Sequence, residues 1–405
     1  MNLLEDKSKQ RNKKTKGEKV VLTLLIISII LCIAIFALLY FLQNTPLVYK
    51  YAIEINGNVT TEEQLGLIQL EDESKVISLK SICNVLGYEY FNGEYNTTLE
   101  SKDKGYINNG INIIQFFADS NKIFKTKEND LRDLQYYTLN HNIIIYNDGL
   151  YINIEDLNVA LNLIQYYKED ENKTIIQTPE DWIEKHKEQL EGMGYTIDDS
   201  PENMVGLAYG YVIVKNNEKY GVMGLNNAEI IGSKYNSIEF VEYTNQFIVS
   251  NSDNKYGIID AGGENIIKIQ FDGVKVLNFE PLLYQVKRAD EYGIMKKDGT
   301  IINEISYSSI GYPENKQNNI IYTLIVPELS SNIPQSIVVC GKNGYGLIDL
   351  ENGREIIPCT LKGIFLYVDV ENDIKDYAVQ LEDGTYNQLI SYVDSLNNIT
   401  VNINQ

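Results

Sequence analysis

The sequence contains few of the residues from which catalytic and metal sites are usually built. Its 405 residues include two histidines, four cysteines and one tryptophan. His141, in a predicted hairpin, and His186, on the exposed face of a predicted helix, are too few for a three-histidine copper site. No C-x-x-C pair indicates zinc, and the motifs G-x-S-x-G, H-E-x-x-H and the P-loop are absent. We therefore predict no catalytic residues, no metal ligands and no cofactor-binding residues, and a protein that is not an enzyme.

The cysteines do not indicate a disulfide framework. Cys32 lies in an apolar run, and a region as large as the rest of the chain can build its core without disulfides. Cys340 and Cys359 flank one of the repeat units described below. The sequence leaves two alternatives open for them, a disulfide or two unpaired thiols.

Positive charge is also scarce. The chain has 35 lysines and arginines against 56 aspartates and glutamates, and its net charge is −21. Because phosphate binding needs clustered cations, we do not expect nucleic acid as a partner. Docking on an anionic membrane surface is disfavoured for the same reason. No D-x-[DN]-x-[DN]-G loop is present, so the acidity indicates solubility rather than a defined calcium site.

One long segment, residues 20–42, has no charged side chain. A helix of this length would measure roughly 35 Å, enough to cross a hydrocarbon core of about 30 Å. Seven basic and three acidic residues precede it, which places residues 1–19 in the cytoplasm. A cleaved signal peptide would have a shorter apolar core followed by small residues, which this sequence lacks. We predict a basic cytoplasmic tail (1–19), a transmembrane signal-anchor helix (20–42) in the plasma membrane, and an extracytoplasmic remainder.

Residues 51–178 contain an internal duplication with an offset of 75 residues. In each copy a short apolar strand leads into a short amphipathic helix, after Leu79 in one copy and after Ile154 in the other. Gly87 and Asn162 end these helices in a left-handed conformation. Further strands and hairpin turns are predicted at 96–99, 173–177, Asn56-Gly57 and Asn147-Asp148-Gly149.

This duplicated pattern resembles the copper amine oxidase N-terminal-like domain, the stalk domain of Gram-positive surface proteins. The sequence departs from the family where the helix begins, with Ile77-Ser-Leu79-Lys80 in place of Val-Pro-Leu-Arg. The domain in that family carries no metal ligands. The resemblance therefore implies an α+β stalk-like domain over residues 51–178, and no copper.

Residues 179–204 are predicted to connect two regions. Thr178 is a suitable N-cap and a proline follows it, so a helix should begin there and end at Gly192 or Gly194. Trp182 is expected to pack in a core or between the two regions. Residues 196–203 are expected to form a linker.

Residues 205–405 contain a tandem repeat marked by Tyr-Gly pairs. The first three pairs are 36 residues apart, and the fourth follows after 53. An aromatic residue follows each of the first three tyrosines after 15 residues, and a tight-turn sequence lies about seven residues past each tyrosine. A single unit cannot bury its sheet face alone, so we expect neighbouring units to stack. The repeat-defining residues are Tyr220, Gly221, Tyr256, Gly257, Tyr292, Gly293, Tyr345 and Gly346.

Glycine after the tyrosine is expected to let a neighbouring ring lie across the strand. The units resemble the WG repeat, and Tyr345-Gly-Leu-Ile-Asp349 is the closest copy. The resemblance covers four units, the third connection of which is lengthened by residues 311–335. A degenerate fifth unit is expected near 377–386. A fixed period without catalytic residues at fixed positions favours a scaffold over an enzyme.

Together these features predict a mainly β protein with short helices, an α+β stalk-like domain and a β-repeat array, preceded by one transmembrane helix. The predicted function is that of a non-catalytic, membrane-anchored cell-envelope protein whose extracytoplasmic repeats bind a protein or a cell-wall glycan. Exposed tyrosines would stack on sugars, whereas buried ones would belong to the core. The alternatives are a purely structural surface spacer and a wall-acting hydrolase with paired carboxylates.

Overall fold

The computed structural model describes residues 52–95, 100–127, 130–242, 244–279, 281–311, 321–322, 325–369 and 374–403, together with Ser28, Leu31 and Ile35. These three single residues are helical and exposed. The predicted tail 1–19, the rest of the predicted span 20–42 and the predicted strand 96–99 lie outside the described residues. Within the described part of the chain, no helix combines the length and the apolar character needed to cross a membrane. The protein is mainly β with short helices.

The first region consists of short helices and three antiparallel or mixed sheets. Its helices are α1 (Glu62–Leu65), α2 (Leu79–Leu86), a 3-10 turn (Ile154–Asp156) and α3 (Leu157–Leu161). Its strands are β1 (Ala52–Ile55), β2 (Asn58–Thr60), β3 (Ile68–Gln69), β4 (Lys75–Ser78), β5 (Glu89–Asn92), β6 (Lys104–Asn108), β7 (Asn112–Phe117), β8 (Lys122–Lys127), β9 (Asp130–Thr138), β10 (Ile144–Tyr146), β11 (Gly149–Asn153), β12 (Ile164–Lys168) and β13 (Lys173–Gln177). The sheet orders are β12-β13-β1-β2, β10-β11-β4-β3 and β5-β6-β7-β8-β9.

Both predicted strand–helix copies are confirmed. The Ser78 side chain accepts a hydrogen bond from the Ser81 backbone N–H at 3.3 Å, which fixes the start of α2. Gly87 and Asn162 end α2 and α3 with φ of 75° and 56°. The hairpin at Asn56-Gly57 is confirmed by the pairing of β1 with β2, and the one before Gly149 by the pairing of β10 with β11.

The connecting helix, α4 (Pro179–Gly192), is confirmed, with the Thr178 side chain accepting from the Asp181 N–H at 3.3 Å. Trp182 is 3% exposed and packs with Leu190 against Val212 and Met223 of the repeat region. This packing covers the outer face of the first repeat sheet.

The prediction of a linker at residues 196–203 is wrong. β14 (Thr196–Ile197) pairs with the first long strand of the repeats, and a short helix, α5 (Pro201–Met204), follows it. Asn203 is buried; its amide donates to the Ile238 carbonyl and its carbonyl accepts from the Phe240 N–H, both at 3.0 Å. These bonds attach a polar segment to the next sheet, and sequence alone could not reveal them.

The repeat region forms five sheets of four or five strands. Its remaining strands are β15 (Tyr211–Asn216), β16 (Lys219–Gly224), β17 (Glu229–Tyr235), β18 (Ser237–Val241), β19 (Gln246–Ser250), β20 (Tyr256–Asp260), β21 (Asn265–Phe271), β22 (Gly273–Phe279), β23 (Leu282–Arg288), β24 (Glu291–Lys296), β25 (Ile301–Tyr307), β26 (Ser309–Ile310), β27 (Ile321–Tyr322), β28 (Ile325–Val326), β29 (Ser336–Gly341), β30 (Gly344–Asp349), β31 (Glu355–Leu361), β32 (Gly363–Asp369), β33 (Ile374–Gln380) and β34 (Tyr386–Gln388). A 3-10 helix (Val205–Tyr209) and α6 (Leu389–Ile403) complete it.

Each sheet packs face to face on the next one along the chain. We number the sheets 1 to 5: β14-β15-β16-β17, β18-β19-β20-β21, β22-β23-β24-β25, β26-β29-β30-β31 with β28 beside β29, and β27-β32-β33-β34. Fully buried aliphatic and aromatic side chains fill each junction: Val222 with Phe247, Ile258 with Val286, Ile294 with Ile337, and Leu347 with Val379. The stacking of neighbouring units supplies the core that no single sheet could bury.

The C-terminal end differs from the sequence expectation. Sheet 5 occupies the place of the expected degenerate fifth unit, but the chain then continues into helix α6. Leu389 and Val393 of this helix are buried in the junction between sheets 4 and 5. The helix fills space beside the insert that follows Ile310, where Val326 and Ile333 are also buried.

Candidate functional site

The four repeat-defining tyrosines lie inside the array and are not collected on one surface. Each is half-buried on the third strand of its sheet and contributes to an apolar junction between sheets. Each stands directly opposite the residue that the repeat spacing marks: Tyr220 opposite Tyr235, Tyr256 opposite Phe271, Tyr292 opposite Tyr307, and Tyr345 opposite Leu361. Leu361 thus fills the aromatic position of the fourth unit.

The glycines after these tyrosines face a bulge in the fourth strand. In sheet 2, Tyr256 pairs with Phe271 and Ile258 pairs with Ile267, so two steps on β20 are matched by four on β21. A Cβ at Gly257 would lie 2.5 Å from the Ile267 carbonyl oxygen. At Gly221 and Gly346 the nearest backbone oxygen would be 2.6 Å away, and at Gly293 the nearest atom belongs to Ile305.

The expected role of these glycines is therefore wrong in one respect. The space beside each glycine holds the bulged neighbouring strand, and no aromatic ring is among the nearest atoms. The Tyr-Gly pairs are elements of sheet geometry, and their position gives no reason to assign them to ligand binding.

A group of neighbouring aromatic side chains lies in the first region, on the sheet β5–β9. Phe91, Tyr106, Gln115, Phe124 and Tyr136 are directly opposite one another across the five strands. We call these residues, with Tyr95 and Phe117, the aromatic face. Because side chains alternate along a strand, all five paired residues project to the same side of the sheet.

Contacts between rings run along this face. The Phe91 and Tyr106 rings are stacked with centroids 4.8 Å apart, and Tyr95 meets Tyr106 edge-on at 5.4 Å. Across the sheet, Phe124 lies 5.9 Å from Phe117 and 6.2 Å from Tyr136. The two terminal rings are the most open, because Phe91 is 40% exposed and Tyr136 is 49% exposed.

The opposite side of the same sheet belongs to the core. Ile107, Ile114, Phe116 and Ile123 are at most 1% exposed. A sheet with one face packed and one face open normally carries polar side chains on the open face. Here the other side carries aromatic rings, of which Phe91 and Tyr136 at the two edges are exposed, whereas Gln115 at the centre is buried.

Gln115 holds the centre of the aromatic face in place. It is fully buried; its amide donates to the carbonyls of Gly93 and Gly105 at 3.1 and 3.0 Å, and its carbonyl accepts from the Tyr95 N–H at 2.7 Å. These bonds fasten residues 93–95 over the middle of the sheet. The face is thereby held in a fixed shape before any ligand arrives.

The electrostatics of this face are close to neutral. Glu94 and Lys104 form an ion pair of 2.8 Å, and the Lys104 ammonium lies 6.0 Å from the centre of the Phe117 ring. Burial raises the pKa of both Tyr106 and Tyr136 above the ordinary tyrosine value, at which a phenol is already uncharged at physiological pH. The arrangement offers hydroxyl groups and rings for binding, but no activated nucleophile.

A second polar cluster fastens the first region to the repeats. The Lys125 ammonium, almost wholly buried, lies 2.5 Å from the Glu242 carboxylate, 3.0 Å from the side-chain oxygen Oδ1 of Asn162 and 4.5 Å from the centre of the Tyr137 ring. The Tyr137 hydroxyl donates to Glu242 at 2.9 Å, and its ring stacks on Phe279 of sheet 3. We call this cluster the joint.

The joint and the aromatic face share two strands. Lys125 and Tyr137 alternate along β8 and β9 with Phe124 and Tyr136, so one side of the strand pair meets the repeats and the other side is open. Burial, followed by the nearby Glu242 charge, raises the pKa of Tyr137 well above its ordinary value. The joint is therefore a desolvated, hydrogen-bonded contact rather than a loose surface ion pair.

Neither histidine lies in a ligand cluster. The His141 Nδ1 is 3.0 Å from the buried carboxylate of Asp156, which also accepts the N–H groups of Asn140 and His141. His186 stacks on Trp182 with ring centres 4.1 Å apart. Within the described ranges, no three His, Cys, Asp or Glu side chains are grouped as a metal ion would require.

No protein-family model matches this chain, and no curated protein matches it. Among solved structures it is similar to Hsv2 of Kluyveromyces lactis with a complete loop 6CD, at 15% identity and a TM-score of 0.23, over 44% of this chain and 56% of that one. A second structure of Kluyveromyces lactis Hsv2p has 10% identity and a TM-score of 0.24, over 74% and 96%. Apo AztD from Citrobacter koseri has 10% identity and a TM-score of 0.22, over 74% and 78%.

In the first of these similarities the chain spans little more than half of the other protein's length. TM-scores this low establish neither a shared fold nor a shared function.

Proposed function

We propose that this protein is a non-catalytic, single-pass protein of the plasma membrane that binds a component of the cell envelope. Its N-terminus lies in the cytoplasm, residues 20–42 span the membrane, and the remainder is extracytoplasmic. The basic tail and the uncharged run support this topology. In this proposal residues 51–178 are a stalk-like domain, and residues 205–405 are WG-type repeats that act as a scaffold.

The observation that carries the proposal is the aromatic face. Two of its rings, Phe91 and Tyr136, are exposed at opposite edges of one sheet, and a partner that packs on this side would cover both. The proposal thus assigns binding to the first region, in place of the repeats that the sequence favoured. The Tyr-Gly tyrosines support the scaffold role, since they are half-buried in the sheet junctions.

Sedimentation of the full-length protein, purified in detergent, with isolated cell-wall sacculi tests binding. We expect wild type to co-sediment, and Phe91→Ala/Tyr136→Ala to be retained at least tenfold less. Tyr166→Ala is the matched control, because Tyr166 is 44% exposed on the edge strand β12, away from the aromatic face. Equal retention of wild type and the double variant would contradict the proposal and favour a structural spacer.

Topology has its own test. Protease added to intact cells should degrade residues 43–405 and leave the short cytoplasmic tail with the membrane. Protection of the acidic portion would overturn the proposed location.

A further inference from the structure

We infer that the ligand of the aromatic face is an uncharged glycan strand that lies across the sheet from Phe91 to Tyr136. This inference rests on the proposed function and names the chemical class of the partner. It follows from the size of the face, from its hydrogen-bonding state and from its charge.

The size of the face excludes a broad protein interface. Neighbouring strands are about 4.8 Å apart, so the row from Phe91 to Tyr136 extends about 19 Å, and its two rows of rings make it about 10 Å wide. The resulting footprint of roughly 200 Å², the centre of which is covered by residues 93–95, is well below the roughly 800 Å² that each partner buries in a stable protein complex. A narrow, extended ligand fits these dimensions.

The backbone N–H and C=O groups of the inner strands beneath the aromatic face are already hydrogen-bonded within the sheet. Strands β6, β7 and β8 each pair on both sides, so their N–H and C=O groups are engaged within the sheet. Extended peptides are usually captured at sheet edges through free backbone groups. A ligand on this face must bind through side chains, by stacking on rings and by hydrogen bonds to hydroxyl groups.

A pyranose chain has the matching chemistry. One face of each sugar ring presents C–H groups that pack on aromatic rings, and its rim presents hydroxyl groups. Phe91 and Tyr136, the two most exposed rings of the aromatic face, lie at opposite edges of the sheet. A strand of several sugars that meets both would pass over residues 93–95, which Gln115 fastens over the middle of the sheet. The hydroxyls of Tyr95, Tyr106 and Tyr136 and the Glu94–Lys104 pair are the polar groups of the face.

The charge of the face favours an uncharged strand. Beside the aromatic face, the described charged side chains on the same side of the sheet are Glu89, Lys104 and Lys122, together with Glu94, the ion-pair partner of Lys104; their formal charges sum to zero. The chain as a whole has a net charge of −21, which repels anionic wall polymers at long range. Local neutrality within an acidic protein therefore suits a ligand without charge.

Competition against sacculus binding by the full-length protein tests this inference. The probes are N-acetylglucosamine and glucose β-1,4 oligomers from dimer to hexamer, polygalacturonate as an anionic polymer, and a proline-rich decapeptide. We expect either uncharged hexamer to displace the protein, and the dimers to do so at least tenfold less well, because a dimer cannot reach both terminal rings. Phe91→Ala and Tyr136→Ala should each weaken hexamer binding about five- to tenfold, whereas Tyr166→Ala should not.

The outcomes separate the two proposals. If the protein sediments with sacculi but only polygalacturonate or the peptide displaces it, the glycan inference is wrong and the proposed function stands. If wild type fails to sediment with sacculi and binds no oligomer, both proposals fail. Equal competition by dimer and hexamer would overturn the predicted span from Phe91 to Tyr136.

Discussion

Ile77 and Ile152 are directly paired across β4 and β11, and they are also equivalent residues of the internal duplication, 75 positions apart. Neighbouring pairs, Ser78 with Tyr151 and Val76 with Asn153, lie symmetrically about them. The two copies thus meet about a local pseudo-two-fold axis. Both isoleucines are fully buried, so the axis lies in the core of the first region.

Shortening either isoleucine at this axis should destabilise the protein, and by nearly the same free energy in the two copies. We expect Ile77→Ala and Ile152→Ala each to reduce the free energy of unfolding by about 2–5 kcal/mol, since each leaves a cavity in packed surroundings. Denaturant unfolding of the two variants measures this. Ile145→Ala, at a position 44% exposed, is the control and should change stability by less than about 0.5 kcal/mol. A large difference between the two core variants would contradict equivalent packing.

Adding one methyl group at a repeat glycine should destabilise the array. Gly257→Ala would place a Cβ 2.5 Å from the Ile267 carbonyl oxygen, so the bulge of β21 must shift, at a cost of about 1–3 kcal/mol. Gly192→Ala, at the end of α4 with no atom within 4 Å of the new Cβ, is the matched control. It should be neutral or slightly stabilising, because alanine favours helices. Thermal unfolding of both variants compares them.

Removing one charge of the Lys125–Glu242 pair should lower the free energy of unfolding more than removing both charges. Lys125→Met leaves the Glu242 carboxylate largely buried without its cation, and we expect a loss of about 3 kcal/mol. Adding Glu242→Gln removes that charge while keeping an acceptor for Tyr137, and should restore most of the loss. A double-mutant cycle by denaturant unfolding measures the coupling. Additive losses would show that the pair is not coupled. Lys255→Met, at an exposed ion pair, should leave stability unchanged.

The stability of the folded protein should fall at alkaline pH, because buried tyrosines ionise less readily in the folded state than in the unfolded chain. Burial raises the pKa of Tyr88, Tyr90 and Tyr307 to about 12 each. Tyrosine in the unfolded chain titrates near about 10, so above that pH the unfolded state releases protons first and the folded state loses stability. The contribution should be complete below about pH 10 and lost between about pH 10 and 12. Denaturant unfolding at stepped pH values, with Tyr90→Phe as control, measures a decline that is smaller in the variant.

The thiols should remain reduced and slow to react. Burial raises the pKa of Cys83 to about 12, which removes the reactive thiolate at neutral pH. Cys340 on β29 is directly opposite Tyr345 on β30. Cys359 on β31 lies against Gly341 and Gly346, which follow Cys340 and Tyr345 on their respective strands. Cys340 and Cys359 therefore project to opposite faces of sheet 4, where they cannot bond without backbone movement. Mass spectrometry after mild oxidation should find both thiols free, and alkylation of Cys83 only after denaturation.

Local chemistry was readable from the sequence, whereas sheet membership was not. The Thr178 cap, the Gly87 and Asn162 helix ends and the Asn56-Gly57 turn depend on neighbouring residues, and the structure confirms them. The strand that follows each aromatic repeat position is the first strand of the next sheet or pairs within it. A single residue, such as Asn236 between β17 and β18, connects the two sheets. No sequence pattern within a unit indicates where one sheet ends and the next begins.

The aromatic face was missed for a different reason. Its row from Phe91 to Tyr136 is assembled from five strands, each of which contributes one residue. Strand register decides which rings meet, and register depends on long-range pairing. The C-terminal helix was also overlooked, although Leu389, Val393 and Leu396 show helical spacing.

The bulge beside each Tyr-Gly pair has a consequence for behaviour at high concentration. β17, β21, β25 and β31, which carry the bulges, each form one of the two edges of sheets 1 to 4. A flat edge strand offers a ready template for another chain, and such templates lead to edge-to-edge aggregation. Two surplus residues at the same place interrupt that template at one edge of each of the four sheets. The glycine that marks the repeat leaves room for this bulge, and we expect the bulged edges to pair less readily with another chain than flat ones would.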